Sequence, residues 1–294
     1  MNVVEIDKLT KRYGSHRALD DLSLCVPYGT IFGFLGPNGA GKTTTLRILV
    51  GLLRASDGRA NVLGLDAWKD STKVCARVGY LPGDVRFPQH LTGAAFLDFC
   101  NDMRGGGATS EIGRLRERFD LNLERKIREY SRGMKQKLGL MQAMMHKPEL
   151  LILDEPTTAL DPLVQQTLYD ELRAVVGDGR TVLFSSHTLA EVEALCDRVA
   201  IIRAGKLIED TTIDALKSRA LRRVEIRLKR GTELKTNSAP TGLDNLTLNS
   251  TLATATWRGD VEPLLKWLLE VGVVDVMIGA PDLEDLFTAY YRER

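Results

Sequence analysis

The 294-residue chain is long enough for about two domains, and 40 Lys+Arg against 39 Asp+Glu leave a formal charge of +1. That balance excludes the broad basic field of a nucleic-acid binder, so no nucleic acid is expected as partner; 44% hydrophobic and 27% charged residues exclude disordered and collagen-like classes. Four cysteines, at 25, 75, 100 and 196, form no C-x-x-C pair and the four histidines are scattered, which fits a reducing compartment without structural zinc.

The opening Met1-Asn2-Val3-Val4-Glu5 carries no apolar signal region, and no apolar run approaches the roughly eighteen residues of a membrane span. Any membrane role is expected to pass through a partner. Leu22, Leu24 and Val26 alternate with Asp21, Ser23 and Cys25, the period-two pattern of a half-exposed antiparallel strand. Ile31 to Leu35 is instead a continuous apolar run, as a strand buried on both faces of a parallel sheet requires. It leads into Gly36-Pro37-Asn38-Gly39-Ala40-Gly41-Lys42-Thr43, a full match to G-x-x-x-x-G-K-[ST], and then into a helical stretch from Thr44 to Leu49. Strand, glycine loop and helix in that order make a phosphate cradle, with Thr44 as its last member. Backbone N–H groups close on phosphate oxygens, and the helix turns its positive end toward them. Lys42 supplies a cation for the β- and γ-phosphates, and Thr43 a hydroxyl for Mg²⁺.

From about residue 84 to 147 the chain turns helical, with Gly105-Gly106-Gly107 between two helical stretches, and reads as a helical subdomain inserted in the core. Leu150 to Leu153 is a second buried strand; it delivers Asp154 and Glu155 at its carboxyl end, where ligands gather in such sheets. Asp154 is expected to hold Mg²⁺ through water and Glu155 to polarise the attacking water. Adjacent acids on a strand point to opposite faces, so both can serve only where the strand gives way to a loop, which Pro156 favours. A third run, Thr181 to Phe184, presents Ser185-Ser186-His187, and His187 is expected to reach the γ-phosphate. Beyond about residue 220, Val224, Ile226 and Leu228 alternate with charged residues, Leu264, Leu265, Leu268 and Leu269 mark a helix, and Val271 to Ile278 a strand. Pro281-Asp282-Leu283 is read as opening a last helix that carries Leu286, Phe287 and Tyr290. The basic residues between Lys217 and Arg230 read as a solvated strand face.

One further segment is diagnostic. Tyr130-Ser131-Arg132-Gly133-Met134-Lys135-Gln136-Lys137 resembles the L-S-G-G-Q signature of ABC transporter ATP-binding subunits, and the resemblance extends over about residues 3–215. Physically the segment is a second anion site: Ser131 and the N–H of Gly133 open a helix whose Leu138, Met141 and Met145 form its buried face. The resemblance implies an α/β P-loop NTPase (ABC ATPase) core with a mixed sheet over 1–220, and the strand and helix pattern beyond it reads as a small α+β domain over 221–294. It also implies ATP and Mg²⁺ as ligands. Ser131 and Gly133 are then expected to bind the γ-phosphate held by the opposite subunit, in a head-to-tail homodimer or with a paired homologue. Pro156 to Pro162 matches the segment that puts Asp161 at the dimer seam. Lys11-Arg12-Tyr13-Gly14 matches the position whose ring, here Tyr13, stacks on adenine.

There are departures. Tyr80-Leu81-Pro82 leads to Gly83 where the family has a glutamine, with Asp84 as the nearest replacement, and Arg132 and Met134 replace a glycine and the glutamine of the signature. The Tyr-Ser-x-Gly-Met variant and the C-terminal Pro-Asp-Leu-Glu-Asp-Leu-Phe look like the export subgroup, which works on a separately encoded transmembrane permease from the cytoplasmic face of the membrane. The alternatives are a soluble ABC ATPase acting on ribosomes or DNA, and a nucleotide-gated module with weak hydrolysis. A single ABC module without a coiled-coil insertion weighs against the first, and the intact Asp154-Glu155 pair against the second. Phe87, Leu91, Phe96 and Phe99 are expected to expose an apolar groove for the permease, with core packing as the competing reading.

Overall fold

The computed structural model describes residues 1–229 and 239–282. The chain opens as an antiparallel hairpin of β1 (Asn2–Tyr13) and β2 (His16–Pro27), and the alternation in β2 buries Leu22, Leu24 and Val26 while exposing Ser23 and Cys25. β3 (Ile31–Leu35) is buried at every position, and the glycine loop leads from it to α1 (Lys42–Leu49). β4 (Asp57–Val62) and β5 (Leu65–Asp66) complete an antiparallel sheet in the order β2-β1-β4-β5. α2 (Ser71–Arg77) then runs directly into β6 (Val78–Leu81).

The helical insertion consists of α3 (Gly93–Met103), α4 (Thr109–Phe119) and α5 (Arg132–Met144), joined by a short 3₁₀ turn at Ile127–Glu129, with the glycine triplet separating α3 from α4. The core resumes with β7 (Leu150–Asp154), α6 (Pro162–Gly177), β8 (Thr181–Ser186), α7 (Leu189–Leu195), β9 (Arg198–Arg203) and β10 (Lys206–Thr212). The main sheet runs β10-β9-β3-β8-β7-β6, and from β9 to β6 each neighbouring pair is parallel. Parallel pairing sets the carboxyl ends of β3, β8 and β7 side by side, with Leu35 opposite Ser186 and Asp154 opposite Ser185. The loops after these three strands therefore meet at one edge. The insertion is tied to the core through Glu171 of α6, whose side chain is 5% exposed and pairs with Arg114 and Arg118 of α4 at 2.6 and 2.8 Å. Burial alone would raise the Glu171 pKa, but the bonds from the two guanidiniums hold it below the usual carboxylate value.

The chain divides into Met1–Asp210 and Thr211–Arg294, earlier than the boundary expected at 220. The reason is α8 (Ile213–Arg219), which packs within the second unit. That unit continues with β11 (Leu221–Leu228), β12 (Leu243–Asn249), β13 (Leu252–Trp257), α9 (Val261–Val271) and β14 (Val273–Asp282), in a sheet ordered β12-β13-β11-β14. Val224, Ile226 and Leu228 pack with Trp257 and Leu264, while Arg223, Glu225 and Arg227 face solvent. Pro281 and Asp282 belong to a strand. They end β14, opposite Arg222 and Leu221, and β14 is an edge strand, where a proline without an N–H is tolerated. Leu286, Phe287 and Tyr290 lie outside the described residues.

Candidate nucleotide site

The glycine loop sits at the shared sheet edge, with Gly36 and Ala40 buried, Pro37 half-buried, and Asn38 and Gly39 exposed at its tip. Gly41 takes φ 107°, and a Cβ there would also lie 2.8 Å from the Ala18 carbonyl, so only glycine suits the turn into α1. Lys42, the first residue of α1, is folded back rather than projecting. Its Nζ donates to the carbonyls of Gly36 (2.6 Å) and Pro37 (3.2 Å) and lies 3.6 Å from Glu155 Oε1. A buried ammonium must place its protons on acceptors in reach, and these three are at hand. Burial lowers the Lys42 pKa, and the carboxylates of Glu155 and Asp154 oppose that. Thr44 is half-buried on the first turn of α1.

Asp154 is 1% exposed and held at both oxygens: Thr43 Oγ1 donates to Oδ2 at 2.7 Å and Ser185 Oγ to Oδ1 at 2.6 Å. β7 stops there. Glu155 takes φ 50°, in the left-handed region, at a cost of about 1 kcal/mol. Its N–H bonds to Ser185 Oγ at 3.0 Å hold the turn. The turn brings the second acid to the same side as the first, between Lys42 and His187, whose Nδ1 is 3.3 Å from Glu155 Oε1.

Two residues here had no role assigned from sequence. Ser185 is the hydroxyl that touches both acids' residues. Glu191, on the first turn of α7, accepts from Thr157 Oγ1 (2.7 Å) and from Ser186 Oγ (2.5 Å), so it joins the segment after Glu155 to the segment before His187. An acid four residues after His187 was visible in the sequence; its pairing with Thr157, across 34 positions, was not. Gln136 of α5 likewise donates to the Pro156 carbonyl at 2.9 Å, linking the signature helix to the acid loop.

The signature residues are arranged differently. Ser131 caps α5 by accepting from the Met134 N–H at 3.2 Å, and Asp161 caps α6 by accepting from the N–H groups of Leu163 and Val164. A Cβ on Gly133 would lie 2.7 Å from the Ala159 carbonyl. Leu138, Met141 and Met145 are core. Among the described residues, none of Ser131, Gly133 and Asp161 bonds to the glycine loop. Tyr13, at the end of β1, is 49% exposed, with Lys11 Nζ 5.2 Å from its ring centre.

Gly83 lies against the acid pair: a Cβ there would be 3.3 Å from Asp154 Oδ2. Asp84 is turned to Arg86, 2.8 Å away. The expected exposed groove is not formed by its four residues together. Phe87 and Phe96 stack edge to face with centroids 5.0 Å apart and are half-buried with Leu91, because aromatic pairs gain from mutual contact. Phe99 alone of the four is exposed.

Residues 19–158 match the family model described as ABC transporter. The whole chain aligns at 35% identity with an uncharacterized ABC transporter ATP-binding protein of Synechocystis sp., spanning 86% of that protein. This chain belongs to the ABC transporter ATP-binding proteins. It is also 37% identical to the daunorubicin resistance ATP-binding protein DrrA3 of Streptomyces coeruleorubidus, across 97% of this chain and 94% of that one. Among solved structures, the ATP-binding subunit of an ABC transporter superposes with a TM-score of 0.66 at 29% identity, covering 73% of this chain and 92% of the other. In this ABC ATPase the glycine loop and the acid pair follow β3 and β7 at neighbouring carboxyl ends of the main sheet.

Proposed function

We propose that this ABC ATPase energises export through a separately encoded transmembrane permease, working as a head-to-tail pair with ATP at each shared site. The observation that carries the reading is the convergence of Lys42, Thr43, Asp154 and Glu155 at one edge of the parallel sheet. The daunorubicin resistance relative supports the export direction. Among the described residues no helix is long and apolar enough to cross a membrane, and in this reading the membrane path belongs to the permease, with the ATPase on its cytoplasmic face.

Thr43 Oγ1 and Asp154 Oδ2 are hard oxygen donors side by side, a set that suits Mg²⁺, which when bound neutralises charge on the β- and γ-phosphates. The chain's own residues do the rest. Lys42 leaves the Gly36 and Pro37 carbonyls for the phosphates, Tyr13 stacks on the adenine, and Glu155 orients the attacking water and accepts its proton, with His187 beside it. Ser131 and the Gly133 N–H of a second copy close the site at the γ-phosphate, and Asp161 lies at the seam. Changing Glu155→Gln keeps the shape and removes the base. ATP binding should persist, turnover should fall by at least about 10²-fold, and gel filtration with ATP should show a lasting dimer. Turnover like that of the unaltered protein would take Glu155 out of this role.

A further inference from the structure

Lys11 and Tyr13 stand two positions apart on β1, and residues so spaced share a face of a strand. Lys11 is half-buried, and its ammonium is fixed at two points: Nζ donates to the Arg54 carbonyl at 2.7 Å and lies over the Tyr13 ring, 5.2 Å from its centre. An ammonium at that distance is attracted to the π-face. Lysines elsewhere on the surface pair with carboxylates, Lys73 with Asp70 and Lys206 with Asp20, whereas among the described residues Lys11 pairs with none.

The turn that receives Lys11 is itself tied to the end of β1. The Arg12 N–H bonds to Ser56 Oγ at 3.0 Å, and the Ser56 N–H to the Thr10 carbonyl at 2.8 Å. Lysine, ring and turn therefore form one braced unit at the tip of the hairpin, where Tyr13 pairs with His16. The same hairpin borders the glycine loop: Lys11 lies opposite Leu19, and a Cβ on Gly41 would meet the Leu19 side chain and the Ala18 carbonyl. A ring that is 49% exposed would otherwise exchange among its rotamers. With the ammonium on one face a heterocycle must use the other, and a ring already ordered loses less freedom when the base arrives.

We infer that Lys11 is a positioning residue for the nucleotide: anchored on the Arg54 carbonyl, it braces the Tyr13 ring so that the opposite face receives the adenine. The inference rests on the stacking of Tyr13 on adenine proposed above and adds what holds the ring in place. Lys11 acts through the ring and not on the phosphates, so its effect belongs to binding and not to turnover.

The test is the dissociation constant of the full chain for adenylyl imidodiphosphate, an ATP analogue that resists hydrolysis, measured by calorimetry with Mg²⁺. Lys11→Met keeps the aliphatic stem and removes the ammonium, and it should weaken binding about two- to fivefold. Lys11→Arg, whose guanidinium also donates and stacks on aromatic faces, should restore it. In steady-state kinetics Lys11→Met should raise KM for ATP by a similar factor and leave kcat unchanged, which also reports correct folding. The Lys11→Met loss should persist beside Tyr13→Phe, which keeps the π-face, and vanish beside Tyr13→Leu, which does not. Unweakened binding by Lys11→Met, or a loss confined to kcat, overturns the inference. So does a loss that persists beside Tyr13→Leu, which would make Lys11 a plain charge acting on the phosphates. In each of these cases weaker binding by Tyr13→Leu alone leaves the stacking reading standing. Tyr13→Leu binding the analogue as tightly as the unaltered chain overturns both.

Discussion

The glycine loop with its acid pair and the signature end of α5 are both anion-ready, yet they are built in opposite ways. At the first, side chains answer one another: Lys42 to Glu155, Thr43 and Ser185 to Asp154, and Glu191 to Thr157 and Ser186. At the second, and at the neighbouring start of α6, the side chains of Ser131 and Asp161 bond, among the described residues, to the first turn of their own helices. A wired site is pre-organised for charge that develops during reaction, whereas a bare helix end is half of a site and gains its purpose from an anion brought to it. In the proposed reading that difference makes one copy of this chain the carrier of two unlike halves.

If the wiring matters, breaking it at a distance should cost rate more than binding. Glu191 touches neither Asp154 nor Glu155, so Glu191→Ala should lower kcat about tenfold with little change in KM, and Glu191→Gln, which keeps one acceptor, should recover part of it. Steady-state kinetics at saturating and limiting ATP separate these outcomes; equal losses in Gln and Ala, confined to thermal stability, would make Glu191 merely structural.

A smaller effect is expected at Gly83. Thr43 and Ser185 fix the Asp154 carboxylate, so it cannot easily yield to a side chain at 3.3 Å. Gly83→Gln should therefore reduce turnover severalfold rather than improve it, and Asp84→Ala, which only frees Arg86, should change little. Loss of activity in Asp84→Ala alone would identify Asp84 as the missing ligand.

The smallest effect contrasts the wired carboxylates with a buried group left half-satisfied. His146 bonds through Nε2 to the Val78 carbonyl at 3.2 Å while its Nδ1 has no partner among the described residues. Burial, with Arg104 adding to it, lowers its pKa from 6.5 to about 4. The unfolded chain takes up a proton below pH 6.5 that the folded chain refuses until about 4, so stability should fall as pH drops through that window and level off below it. Urea midpoints across the window should show this slope, and His146→Gln should flatten it.

Much of the site was legible because its parts are local. The loop from Gly36 to Thr43, and the acids after Leu153, follow short buried strands, and parallel pairing alone brings them to one edge. The strand ending between Asp154 and Glu155 was foreseeable from Pro156; the left-handed Glu155 that accomplishes it was not. Glu191 and Gln136 escaped because their bonds join residues 34 and 20 positions apart. The apolar stretch from Phe87 to Phe99 misled for a related reason: sequence shows apolar residues close together, not which of them stack on each other. Pro281 lies in β14, since proline serves on a sheet edge as well as at a helix start, and the helix expected after it falls outside the described residues.

The central claim, that each working site is shared between two copies, is tested most directly by mixing two disabled chains. Lys42→Ala removes the wired half, and Ser131→Asp keeps the helix cap but puts a negative charge where the γ-phosphate must sit. Each variant alone should be nearly inactive. Mixed in equal amounts, half of the randomly paired dimers contain one intact site, and turnover should rise to about a quarter of that of the unaltered protein. No gain over the two separate preparations, once mixed dimers are shown to form, would contradict the claim.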